Sequence, residues 1–303
     1  MRGPRNDPRE RAMPDWPAVI DMGRLAGDLA AETDEVLAMI ELLTEPGWDR
    51  PTPAEGWSVK DQVSHLAYFD QAVLTALTQP DRFRRETAEL AAAGQLSPDH
   101  LAARYRSVAA AEVLDWFRAV RAEVVAAFAA ADPRRRLPWY GPDMSAASAA
   151  TARLMETWAH GQDIADALGL ERAPTARLRH VAHLGVSTLP FAFAARGRPV
   201  PDAGVRVELA GPGGEVWTWG DETAVDRVTG PAVDFCLVVT QRRHRADTTL
   251  GTQGPVAAEW MEIAQAYAGA PGGGRRPGQF GAGGQVGGGS VESQAPPAGG
   301  GAP

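Results

Sequence analysis

The stretch Glu156-Thr-Trp-Ala-His160-Gly-Gln-Asp163 carries the residues best suited to chemistry. Glu156 and His160 stand four residues apart, about one turn of helix, so a helix presents both on one face. At roughly 100° per residue Asp163 falls on that face too, flanked by Ala149, Ala152 and Ala167, while Leu154, Trp158, Gly161, Ala165 and Leu168 fall opposite. Glu–His pairs at this spacing are common on solvated helix faces, and spacing alone favours that reading. Two features weigh against it: the alanines leave room above the face, and a second histidine, His65, shares an earlier helix with Phe69, Ala72 and Ala76 on one row. Taken by itself, His65 reads as a core-edge histidine. If the two helices are neighbours, His65, Glu156 and His160 converge. Two neutral imidazoles and a carboxylate suit a borderline divalent ion such as Zn2+, and three protein ligands leave a fourth position open, as in catalytic sites. Such an ion lowers the pKa of a bound water or thiol. Asp163 then either orients a ligand or is a surface acid, and the sequence does not separate the two.

The elements that must position these residues are helical in the first half of the chain. Residues 15–172 are rich in Ala, Leu, Glu and Arg, with few β-branched runs. The periodicity predicts four long helices: 16–43; 58–77, with Ser58 as N-cap and Asp61 as capping-box partner; 97–131, with Ser97 as cap and Pro98 in the first turn; and a fourth from Ser145 to a Gly169 stop. Four amphipathic helices of this length predict a bundle. Residues 173–270 read as a smaller α+β domain. A helix is expected over 174–196, interrupted near Pro190, followed by a hairpin of 205–209 and 216–219 around a GPGG turn. Further helices are expected over 231–243 and 255–268, each opened by a proline. Residues 1–14 are expected to form a disordered extension, and the Gly/Pro-rich tract 271–303 a disordered tail.

The stretch Thr52-Pro-Ala-Glu-Gly-Trp-Ser-Val-Lys-Asp-Gln-Val-Ser-His65, with Glu156-x-x-x-His160 far downstream, resembles the metal-binding N-terminal domain of mycothiol-dependent maleylpyruvate isomerases, within the wider DinB-like family of four-helix metal proteins. The resemblance covers residues 15–170 and extends to an actinobacterial branch of that family. It implies that His65, Glu156 and His160 hold a divalent metal, taken to be zinc. It further implies that the metal activates a small thiol such as mycothiol, which attacks an electrophilic small molecule near the boundary with a following α/β domain. With the resemblance added, the metal site becomes the favoured reading. The C-terminal part does not match the isomerase in detail, so the isomerase's substrate is not carried over; it bears a weaker likeness to a domain named for wyosine base formation in transfer RNA.

Composition bounds the alternatives. The chain has 303 residues, 44% hydrophobic and 22% charged, with a formal net charge of -8. That balance argues against nucleic acid as the main partner, because phosphate binding needs a positive field. A single cysteine, Cys236, permits no intramolecular disulfide, and no apolar run approaches the length of a membrane span. Both favour a cytoplasmic protein. Cys236 sits in an apolar segment and reads as a buried small hydrophobe. In Gln241-Arg242-Arg243-His244-Arg245 the arginines either bind a carboxylate or phosphate of a cofactor or complement a helix C-terminus, with the second reading narrowly ahead. His180 and His183 read as structural. Trp57 and Trp158 read as core residues that also wall the site from water. The expected function is a thiol-dependent isomerase or transferase; the alternatives are a metal-binding bundle without turnover and, less favoured, a role in transfer-RNA modification.

Overall fold

A computed structural model describes residues 20–267 and 269–280. The helical half runs α1 (Met22–Ile40), α2 (Glu45–Trp48), α3 (Val59–Thr78), α4 (Pro80–Ala92), α5 (Pro98–Ala103), α6 (Ala110–Ala129) and, after the short strands β1 (Arg136–Leu137) and β2 (Met144–Ser145), α7 (Ala146–Leu168). The four long helices α1, α3, α6 and α7 form the predicted bundle. α1 packs on α6 and α7, and α3 packs on the same two, so α3 and α7 are neighbours. Val36, Leu66, Phe117, Val124 and Leu154 are fully buried between them. Helix ends follow their local chemistry. Ser58 Oγ accepts from the Asp61 amide at 3.2 Å while Asp61 accepts from the Ser58 amide at 2.9 Å, a complete capping box. Gly169 takes a left-handed conformation, φ 68°, that ends α7.

The helix expected over 97–131 is two helices. The chain breaks between α5 and α6, where Arg106 reaches back to Asp61 (2.9 Å) and to the Gly56 carbonyl (2.8 Å), pinning the interruption over the start of α3. α4 was not expected. Of its side chains only Phe83 is buried, so it has no apolar stripe to read.

The remaining elements are α8 (Leu178–Ser187), α9 (Leu189–Ala194), β3 (Val205–Ala210), β4 (Val216–Trp219), β5 (Asp226–Pro231), α10 (Ala232–Val239), β6 (Gly251–Gln253) and α11 (Pro255–Ile263). The sheet order is β4-β3-β5-β6. β3 and β4 form the expected antiparallel hairpin, with Val207 opposite Trp219; β3 pairs in parallel with β5, and β5 antiparallel with β6. β5 and β6 were not read from the sequence. α8 packs on both α7 and α10 and so joins the α+β part to the bundle. Gly185 permits this approach, since a Cβ there would lie 2.7 Å from Val239 Cγ2. Cys236 is fully buried on α10, and burial pushes its thiol pKa well up.

The tract expected to be disordered from Pro271 onward is in part packed. Phe280 is 2% exposed and lies under the Arg243 guanidinium, 3.8 Å from ring centroid to cation, and Arg275 pairs with Asp163. These two anchors outweigh the low apolar content that argued for disorder. The rest of that tract, and the N-terminal extension, lie outside the described residues. Among the described residues no helix is long and apolar enough to cross a membrane.

Candidate metal centre

α3 and α7 bring His65, Glu156 and His160 together, with one ligand atom from each lying within 4.8 Å of the others. Glu156 Oε2 is 3.0 Å from His160 Nε2 and 3.8 Å from His65 Nε2. The two imidazole centroids are 4.4 Å apart. Both histidines are buried, each 8% exposed, while Glu156 faces the opening. Burial first, and the adjacent His160 second, lower the His65 pKa to about 4, so this ring is neutral at neutral pH. For Glu156 burial acts upward, but its close contacts with the His160 and His65 rings prevail and hold its carboxyl well below the usual range. Trp57 walls the pair, its ring centroid 5.2 Å from His65 and stacked 6.0 Å from His160. Trp158, expected beside the ligands, instead faces the Arg172 guanidinium, 5.8 Å away.

A residue missed in the sequence fixes His160. Gln62 Oε1 accepts from His160 Nδ1. The orientation of the Gln62 amide is set in turn by Thr52. The Thr52 hydroxyl donates to the Trp57 carbonyl (2.9 Å), so it accepts from Gln62 Nε2 (2.8 Å) and leaves Oε1 toward the ring. His160 therefore carries a proton on Nδ1, and in its neutral form directs the lone pair of Nε2 at the carboxylate of Glu156. Acceptor then faces acceptor at 3.0 Å, an arrangement that a cation between them relieves. His65 Nδ1 is buried with no hydrogen-bond partner. The donor set and its geometry fit a divalent ion held at an open position. A signal for Gln62 was present, one turn before His65 less a residue, but an amide on an apolar helix draws no notice until its partner on α7 is known.

Asp163 is neither a surface acid nor a partner of the two histidines. It is fully buried; its Oδ2 accepts from Arg242 Nε (3.1 Å) and Nη2 (2.8 Å), and its Oδ1 from Arg275 Nη2 (2.6 Å). Arg242 also donates to the Ala159 and Thr240 carbonyls. Arg243 makes two 2.7 Å bonds to Asp166, and does not line the cavity at the triad. Both arginines thus fasten the chain after α10 to α7, and Arg242 also serves the carbonyl of Thr240, the C-cap of α10, as the helix-terminus reading expected. His180 reaches Asp28 on α1 at 2.9 Å, an acid distant in sequence.

Beside the triad lies a cavity of about 580 Å³, within the usual range for small-molecule sites. Ala149 and Ala152 of α7 line it, as their small size suggested, and so do Leu184 of α8, Phe191 of α9 and Tyr267. Arg153 lines it as well. Its guanidinium is held by Asp70 (3.0 Å), a fully buried acid that also accepts from Arg121 (2.6 Å).

Fold and site together define a four-helix-bundle protein with a candidate metal centre opening onto a cavity shared with an α+β part. Residues 29–165 match the family described as the mycothiol maleylpyruvate isomerase N-terminal domain, and residues 202–250 match that described as wyosine base formation. Uncharacterized proteins from two strains of Mycobacterium tuberculosis are each 45% identical over 259 residues, covering 84% of this chain and 99% of theirs. Among solved structures, the mycothiol-dependent maleylpyruvate isomerase superposes with a TM-score of 0.52 at 14% identity, over 78% of this chain and 95% of that one. A mutant of the same isomerase gives 0.51 at 13% identity, over 74% and 90%. Likeness at this identity shows the fold alone. Residues 29–165 thus belong to the mycothiol maleylpyruvate isomerase N-terminal domain family, and the chain as a whole belongs to one family with its mycobacterial relatives.

Proposed function

We propose that this protein is a divalent-metal-dependent enzyme of the cytoplasm that uses a small thiol, mycothiol in the first instance, to isomerise or transfer onto a small electrophile. His65, Glu156 and His160 would hold the ion, with zinc the one their donor atoms suit. A bound ion there supplies Lewis acidity that favours the thiolate of a ligated thiol at neutral pH. The chain's own residues do the rest. Gln62 keeps the His160 proton on Nδ1, burial keeps His65 neutral and able to ligate, and Trp57 excludes water from the histidine side of the site. The observation that carries this reading is the convergence of His65, Glu156 and His160, ligand atoms within 4.8 Å of one another, beside an open cavity. A site serving stability alone would have no use for the cavity.

The transfer-RNA reading gains less support. Within and beside the matched segment Arg206 and Arg227 pair with Glu208, Arg243 with Asp166, and Arg245 with Glu262, which neutralises the cations a phosphate backbone would need. The test is turnover by zinc-supplemented protein with mycothiol, read as consumption of the thiol with activated alkenes and alkyl halides or as cis–trans isomerisation of an activated alkene at constant thiol. Turnover above the uncatalysed rate, lost in His160→Ala, is expected; no acceleration with any electrophile would refute the proposal.

A further inference from the structure

The thiol-using reading leaves the body of the electrophile undescribed, and the cavity walls describe it. Away from the triad the large side chains are Phe69, Trp139, Met144, Met155, Leu184 and Phe191; the hydroxyls of Ser148, Thr188 and Tyr267 also line it, bonded to Ser145, the Gly185 carbonyl and Gln241. The aromatic part is braced from behind: Trp139 stacks on Phe83 at 5.8 Å with planes 7° apart, and Phe69 lies 6.2 Å from Trp139. Such a wall keeps its shape when a ligand arrives. The charged residues that line the cavity are Glu156, Asp163, Arg153 and Arg242. Arg153 donates to Asp70 and to the Leu66 carbonyl, and Arg242 donates to Asp163 and to two backbone carbonyls. Each guanidinium already has a carboxylate within 3.0 Å.

We propose that the cavity takes an electrophile whose body is apolar and uncharged, an aryl or alkyl frame laid along Trp139 and Phe191, in place of a short dicarboxylate. The proposal rests on the thiol-using reading and deepens it. A short dicarboxylate could present one charge to the metal position. Its other carboxylate would have to displace Asp70 or Asp163 from a buried arginine, or lie unpaired against an apolar wall, and both are costly. An apolar frame asks for neither and removes its own surface from water.

The experiment titrates zinc-supplemented full-length protein with chalcone, an uncharged diaryl enone, and with maleate, a short unsaturated dicarboxylate. Emission from the tryptophans, of which Trp57 and Trp139 line the cavity, and thermal shift report binding. Chalcone is expected to bind at least about tenfold more tightly than maleate. Ala152→Trp, which fills the cavity, and Phe191→Asp, at a wall position 39% exposed where folding is not at stake, are each expected to weaken chalcone by about tenfold or more. His65→Ala should lose metal. Maleate binding as tightly as chalcone, or chalcone binding undiminished in both cavity variants, overturns the proposal and leaves the metal reading intact. Retention of metal by His65→Ala sinks the metal reading and leaves the apolar cavity standing.

Discussion

Replacing Gln62 by leucine tests the tautomer argument. Leucine keeps the volume but removes the acceptor for His160 Nδ1 and the donor to Thr52. His160 then has no bond that selects which nitrogen carries its proton, and its Nδ1–H is left buried beside carbon. Loss of such an orienting partner weakens a metal by about 10–100-fold, or about 1.4–2.7 kcal/mol. The stranded donor costs the fold about 1–3 kcal/mol besides, because the His160 side chain is only 10% exposed. Gln62→Glu restores an acceptor and should recover zinc affinity. The assay is competition for zinc against a chromophoric chelator at neutral pH, with nitrogen-15 spectra of the His160 ring to report its protonated nitrogen. Wild-type zinc affinity in Gln62→Leu, or a His160 protonated on Nε2 in the metal-free protein, would show that Gln62 does not set the site.

Asp70→Asn leaves Arg121 and Arg153 buried without their shared counter-charge and should cost about 3–5 kcal/mol in urea unfolding; a loss below about 1 kcal/mol contradicts that assignment. Burial, with His180 and Arg179 adding to it, lowers the His183 pKa from 6.5 to about 4, so the unfolded chain takes up this proton at higher pH than the folded one. Its contribution is complete above pH 6.5 and is lost as pH falls toward 4, by roughly 1–2 kcal/mol once its partial exposure is allowed for. His183→Gln should flatten the stability profile across that window, and an unchanged slope would refute the sign. Arg275→Ala frees the 269–280 strap from Asp163 at a cost of about 1.5–3 kcal/mol; hydrogen exchange should rise there while the bundle stays protected.

The bundle was legible because its helices bury one stripe each and because Ser58, Asp61 and Gly169 mark their ends by local bonds that need no tertiary partner. His65, Glu156 and His160 were legible as a group only once α3 and α7 were taken as neighbours, which their packing shows. What escaped depends on partners distant in sequence. α4 exposes nearly all its side chains, β5 and β6 exist through pairing with β3 and each other, and the break at 104–109 answers to Asp61. Asp163, Arg242 and Arg243 suggested a site by charge. Their charges in fact close against one another and against Asp166 and Arg275, and no sequence pattern announces such pairing.

The central claim is that two imidazoles and one carboxylate from α3 and α7 hold a single divalent cation. Elemental analysis of purified full-length protein, equilibrated with zinc and then freed of loose metal, tests it most directly when run beside His65→Ala, Glu156→Ala and His160→Ala. The account predicts one ion per chain in the wild type and loss of it in each variant, with helical content retained. A wild-type chain that holds no ion, or variants that keep theirs, would contradict it.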